Sequence, residues 1–259
     1  MKSLASDKGS LLGYFGVLIL LSIPFWLVGA LIPVRLLPGL PVSALEVLCP
    51  VGAAAILVYR LGGWTGVAGL MGRSFDFHRV KHPLWYAPAL LLMPVIMVLS
   101  FVTMRLLGVP IPMPTFSVLT TVVLFLVFFI SALAEELGWS GYAIDPLQSR
   151  FGALGGALVL GAAWAVWHFS PLLSVPRSLE WIAWWSLGTV ATRVITTWLY
   201  NNTGRSVFVA ALFHTTVNLT WQLFPIHGSF FDPRVTSLIT VAVAIVVVII
   251  SGPRKLVRT

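Results

Sequence analysis

The sequence reads as an all-α membrane protein, one polytopic bundle of about eight transmembrane helices, and three observations lead there. Hydrophobic residues make up 58% of the 259 and charged ones only 9%, whereas about a quarter of a soluble domain is charged. Mean hydropathy is +0.97. Eight apolar segments, each bounded by charge or by Pro and Gly, follow one another with connectors too short to hold a soluble domain. Since a spanning helix takes roughly 20 apolar residues, eight of them use most of the chain. Residues 1–259 are therefore read as a single transmembrane domain.

The first segment, 10–32, follows Lys2 and Lys8 as a signal peptide would, yet lacks a small-residue cleavage site and is read as an uncleaved span. The second, 43–59, is short and carries Glu46. The third covers 84–104 and the fourth 117–140, with Pro146 expected to stop the fourth helix near Asp145. Segments at 152–168, 181–200, 206–224 and 235–251 complete the set. Trp85, Tyr86, Trp181 and Tyr200 lie near span ends and read as interfacial anchors. The chain shows neither an internal repeat nor a low-complexity tract.

The net charge of +8 does not point to nucleic acid, because the basic residues are scattered through short loops instead of gathered on one face. Cys49 is the single cysteine, so there is no internal disulfide and no thiol cluster for a structural metal. Cation counting sets an orientation, since cytoplasmic loops keep the excess of Lys and Arg. One side collects Lys2, Lys8, Arg60, Arg73, Arg79, Lys81, Arg150, Arg205, Arg254, Lys255 and Arg258; the opposite side has Arg35, Arg105, Arg177 and Arg234. Eleven against four places both termini in the cytoplasm, with the protein expected in a prokaryotic cell membrane. His78, His82 and His227 fall in loops and receive no role.

Ionisable groups within spans are costly and mark function. Arg193 falls inside the sixth span and needs a partner. Glu135 and Glu136, in A-E-E-L-G-W-S-G-Y, come directly after fifteen uncharged residues, Leu119–Leu133. His168 ends W-A-V-W-H, one turn beyond Trp164, and His214 and Asn218 share a helix face in F-H-T-T-V-N. At about 1.5 Å of rise per residue, Glu135, His168, His214 and Asn218 reach similar depth, with Arg193 within a turn or two. The expectation is one buried cavity open to the cytoplasmic side. A carboxylate with histidine there activates water, and an amide stabilises an oxyanion. With neither a serine elbow nor a cysteine among these positions, water is favoured as the nucleophile. Buried Glu, His and Arg also build the proton relays of transporters, although the inverted repeats expected there are not detected.

These three ordered motifs, across roughly residues 117–222, resemble the CPBP family of intramembrane proteases, which includes the type II CAAX prenyl endopeptidases and the bacteriocin-processing and immunity (Abi) proteins. The resemblance implies that Glu135 activates water with His168 assisting, that His214 and Asn218 hold the oxyanion, and that Glu136 stands beside the site. It implies an endopeptidase that cuts a membrane-associated peptide or protein, prenylated or not, in the lipid bilayer, without nucleic acid and with no cofactor. A zinc version with Glu135, His168 and His214 as ligands is chemically reasonable too, although no H-E-x-x-H is present. One departure stands out: the family's first motif usually reads E-E-x-x-x-R, and Ser140 occupies the Arg position. Ser140 is the single hint of a non-catalytic immunity or scaffold protein. The loss bears on Glu136, leaving it either protonated or paired with another cation, for which Arg193 is the candidate.

Overall fold

The computed structural model describes residues 8–32, 34–226 and 228–258; Lys2 and His227 lie outside the described residues. It is an all-α polytopic bundle. The long helices are α1 (Lys8–Leu31), α2 (Cys49–Gly72), α3 (Tyr86–Leu106), α4 (Val118–Gly138), α5 (Ile144–Trp167), α7 (Leu179–Asn202), α8 (Val207–Leu223) and α9 (Pro233–Ser251), with a short α6 (Phe169–Leu173) between α5 and α7. A small antiparallel hairpin, β1 (Arg35–Leu37) and β2 (Leu40–Pro41), follows α1.

Local chemistry fixes the helix starts. Ser117, Ser178 and Ser206 accept from the backbone N–H of Thr120, Trp181 and Val209 at 3.0–3.2 Å, and Asp232 accepts from that of Arg234 at 2.9 Å. The second apolar segment begins as a 3₁₀ turn, Val42–Leu48, and becomes α2 only at Cys49. Pro146 does not end a helix near Asp145. The chain stays helical through a π turn, Trp139–Ala143, and on to Phe151. The break comes at Gly152, where φ is +73° and a side chain would be strained. Segment 152–168 therefore locates the returning rod, while 144–151 is a surface turn of helix that the Pro rule missed.

Among the described residues, five helical stretches are long and apolar enough to cross a membrane, α4 and α5 being joined in one of them. Neither α7 nor α8 is among the five. These two carry Arg193, His214 and many of the buried threonines, and α5, α9, α4 and α3 pack around them. A helix shielded from lipid by its neighbours does not need an apolar circumference.

Hydrogen bonds separate the two ends of the bundle. At one end Arg73 donates to the Gly141 carbonyl (2.7 Å), the Tyr200 hydroxyl (2.9 Å) and the Arg205 carbonyl (2.8 Å). Asp76 accepts from Ser206 Oγ (2.8 Å) and from the N–H groups of Val207 and Phe208 (3.1 Å each) at the start of α8. The C-terminal segment is tied in by Asn201 and Asn202, which donate to the Lys255 and Leu256 carbonyls at 2.8 Å. Tyr200 is thus no lipid anchor: it is fully buried, and its hydroxyl donates to Asp145 at 3.2 Å. At the opposite end lie the β hairpin, the 107–117 loop, α6 and the 224–232 loop, where Thr115 N–H reaches the Pro225 carbonyl at 3.4 Å.

Candidate active site

The π turn after α4 positions the first part of the site. It keeps Trp139 and Ser140 each four residues beyond a glutamate and turned back toward it. Trp139 Nε1 donates to Glu135 Oε2 at 3.2 Å, and Ser140 Oγ donates to Glu136 Oε2. Trp164, arriving on α5, gives a second indole N–H to Glu135 Oε2 at 2.9 Å. An indole N–H only donates, so one oxygen of Glu135 is held as an acceptor by two donors. Its second oxygen, Oε1, lies 3.8 Å from His214 Nε2.

Glu136 sits one step deeper, fully buried. Arg193 Nη1 lies 2.9 Å from both of its oxygens, and His214 Nδ1 lies 3.0 Å from Oε1. The guanidinium carbon also stands 4.4 Å above the centre of the Trp164 ring. Arg193 therefore occupies the electrostatic place left by Ser140, reaching Glu136 from α7 instead of from one turn along α4. With Glu136 as its acceptor, His214 directs a proton on Nδ1 toward that carboxylate and turns Nε2 toward Glu135.

His168 sits where α5 ends. Its Nδ1 is 2.8 Å from the Trp164 carbonyl. A carbonyl only accepts, so Nδ1 carries a proton, and in the neutral ring Nε2 keeps its lone pair. The rings of Trp164, Trp167 and Trp185 enclose it at centroid distances of 5.4, 4.7 and 5.4 Å. Glu135, Trp164, His168 and Asn218 all line one cavity of about 520 Å³, whose remaining walls are mostly apolar. His214 stands just behind that wall, through its contact with Glu135.

The cavity corrects one expectation. Its lining runs from Glu135 through the first turns of α4, α7 and α9 and the last turns of α8 to the β hairpin and the 3₁₀ turn after it. That lining reaches the end opposite Lys8 and the 255–258 segment, while the Arg73, Asp76 and Tyr200 ties close the near end. A cavity open to the cytoplasm and cytoplasmic termini are therefore incompatible. Depth counting placed the groups at one level without saying which end was closed.

Of the zinc set Glu135, His168 and His214, the first and last approach each other, with Glu135 Oε1 3.8 Å from His214 Nε2. Among the described residues no three His, Cys, Asp or Glu side chains are placed to share one ion, and Oε2 of Glu135 and Nδ1 of both histidines already face protein partners.

Residues 117–220 match the family described as type II CAAX prenyl endopeptidase, Rce1-like. All of the motif residues named above, Glu135 to Asn218, fall within that span. A curated relative, CAAX prenyl protease 2 of Methanococcus maripaludis, is 35% identical over 113 residues, which are 40% of this chain and 41% of the relative. The chain thus matches about two fifths of that relative's length.

The cavity also contains groups that sequence reasoning passed over. Glu46 is 1% exposed and lines the wall, with Oε2 accepting from Trp26 Nε1 and Oε1 without a partner among the described residues. Arg177, counted only as a topological cation, lines the mouth. For Glu46 the available signal was a carboxylate in an apolar run. For Arg177 it was a cation between Pro176 and the Trp-rich start of α7.

Proposed function

We propose that this chain is an intramembrane endopeptidase of the glutamate type, hydrolysing a peptide bond in a membrane-associated substrate. The observation that carries the reading is Glu135: one oxygen is fixed by two indole N–H groups, and the carboxylate lines a cavity beside the unprotonated nitrogen of His168. A water between Glu135 and His168 Nε2 gives a proton to Glu135 as its oxygen attacks the carbonyl carbon. Negative charge gathers on the carbonyl oxygen, where the Asn218 amide, which lines the cavity, stabilises it; His214 stands behind Glu135 and supports it from there. The carbon–nitrogen bond then breaks, and the proton on Glu135 passes to the leaving amine. Glu136 does not meet the substrate; with Arg193 it orients His214.

An inactive immunity or scaffold protein would be suggested by Ser140 alone. Arg193 supplies the missing cation to Glu136, which leaves that reading without its motive. The apolar cavity suits a hydrophobic or lipid-bearing peptide, and the relative's name makes a prenyl group the first substituent to try. The excess of cations at the closed end supports a cytoplasmic position for that end, and on that reading the substrate enters from the opposite side of the membrane or from within the bilayer. The test is cleavage of lipidated and unlipidated membrane peptides by purified full-length protein, read by mass spectrometry. The reading expects one discrete cut that disappears in Glu135→Gln; a cut surviving at the original rate in that variant contradicts it.

A further inference from the structure

A second buried acid lines the cavity and takes no part in the mechanism above. Glu46 belongs to the 3₁₀ turn Val42–Leu48, flanked on the cavity wall by Ala44, Leu45 and Val47, and is 1% exposed. Among the described residues no cation pairs with it. Its one hydrogen-bond partner there is the Trp26 indole, whose N–H donates to Oε2, while Oε1 has none. An ionised carboxylate in that place would be a buried charge with a single hydrogen bond, which is strongly unfavourable, so the group holds a proton. An indole N–H only donates. Oε2 is therefore the accepting oxygen and the proton is on Oε1, which makes Glu46 an O–H donor without an acceptor on the cavity wall.

The packing of α2 on α4 sets its depth. A Cβ on Gly138 would stand 2.5 Å from the Pro50 carbonyl oxygen, so Pro50 and Gly138 are abreast. Both helices run toward the closed end. Four residues back from Pro50 is about 6–8 Å, and the same distance back along α4 reaches Leu133 or Ala134. Glu46 thus stands within half a turn of Glu135 in depth, on a neighbouring wall of the same cavity. The two carboxyl groups have opposite characters: Glu135, holding two indole N–H groups on Oε2, is an acceptor, and Glu46 is a donor. An extended peptide offers a carbonyl oxygen about every 3.4 Å, on alternating sides. A chain whose scissile bond faces Glu135 therefore turns the carbonyl of an adjacent residue to a different wall. We propose that Glu46 is a specificity-determining residue of the endopeptidase, a neutral carboxylic acid that donates from Oε1 to a substrate backbone carbonyl next to the scissile bond and so sets which bond meets Glu135. This deepens the endopeptidase reading and rests on it. A cationic substrate side chain would require Glu46 ionised, but Ala44, Leu45 and Val47 supply no second side-chain donor for that charge.

Infrared spectra and binding test this without any cleavage, in full-length Glu135→Gln protein in neutral detergent. The probe is an N-acetylated, C-amidated apolar hexapeptide. The difference spectrum between this protein and its Glu46→Gln derivative should contain the carbonyl stretch of a protonated carboxyl at neutral pH, and the peptide should shift that band as the O–H gains an acceptor. By calorimetry, Glu46→Met should weaken peptide binding by about fivefold to tenfold, the worth of one hydrogen bond. Glu46→Gln should restore most of that loss, because its carbonyl accepts from Trp26 and its amide N–H replaces the O–H. Absence of the protonated band, a band the peptide leaves unmoved, no binding of the peptide, or wild-type affinity in Glu46→Met overturns the proposal. Glu46→Gln as damaging as Glu46→Met, with a lysine-containing peptide preferred by the parent, overturns it in favour of an ionised carboxylate that pairs with a substrate cation. None of these outcomes depends on turnover, so failure of the peptidase reading, which cleavage by wild type decides, is a separate result.

Discussion

The two ends of the bundle are built from the same helices and differ in what fills the gaps between them. At the closed end, arginine, aspartate, tyrosine and asparagine bridge from helix to loop through short bonds, such as Arg73 to Gly141 (2.7 Å) and Asp76 to Ser206 (2.8 Å). At the open end a hairpin, a short helix and long loops surround apolar walls, and the buried donors of Arg177 and Trp221 lack acceptors among the described residues. Both ends keep some buried polar atoms without hydrogen-bond partners among the described residues, Arg73 Nε and Asp145 Oδ1 at one and Arg177 Nε and Glu46 Oε1 at the other; what distinguishes the closed end is that its polar side chains bridge helix to loop. Between the two lie Glu135 and Glu136, one sequence position apart. Glu136 belongs to the closed half, enclosed by Arg193, His214 and Ser140. Glu135 belongs to the cavity.

That contrast predicts opposite consequences for the same chemical change. Glu135→Gln keeps shape and the indole contacts but removes the base, so kcat should fall by about 10² to 10⁴ with little change in melting temperature in detergent. Glu136→Gln should lower kcat less. A variant pair in which Glu136→Gln is the more damaging to kcat would erase the distinction between the two carboxylates.

The next effect is on stability. Arg193→Ala leaves Glu136 buried without its cation, a loss of about 3–5 kcal/mol. Adding Glu136→Gln should restore much of it, measured as coupling in a double-mutant cycle by denaturant or thermal unfolding. Purely additive effects would mean that the 2.9 Å contacts contribute no net coupling.

Smaller effects should follow at the closed end. Asp76→Ala strands Ser206 and two N–H groups at the start of α8 and should cost about 2 kcal/mol while leaving KM unaltered. Ser140→Ala deletes one of several partners of Glu136 and should cost about 1 kcal/mol. A change in KM larger than the change in stability, at either position, would show that the closed end takes part in substrate binding.

Much of this was legible in the sequence, for reasons that particular residues make plain. Intramembrane carboxylates, histidines and an unaccompanied arginine are so costly that their presence alone identified Glu135, Glu136, His168, His214 and Arg193, and helical rise placed them at one depth. Sequence did not show that Pro146 is tolerated, because the preceding π turn alters the backbone register where the proline ring sits. Nor did it show the opening of the cavity, which depends on which loops bridge. Trp139 and Trp185 received no role from the sequence; only the fold turns one toward Glu135 and the second toward His168. Arg177 was hidden by its usefulness as a topological count.

The central claim is that the groups around Glu135 are reached from the end opposite the termini, and accessibility to a membrane-impermeant maleimide tests it most directly. In a Cys49→Ala background, Ser229→Cys marks the open end, Ser149→Cys the closed end, and Ser131→Cys lines the cavity one turn before Glu135. In intact cells the account predicts labelling at 229 and 131, with 149 reacting only after the membrane is permeabilised. Labelling of 131 together with 149, from the same side, would contradict it.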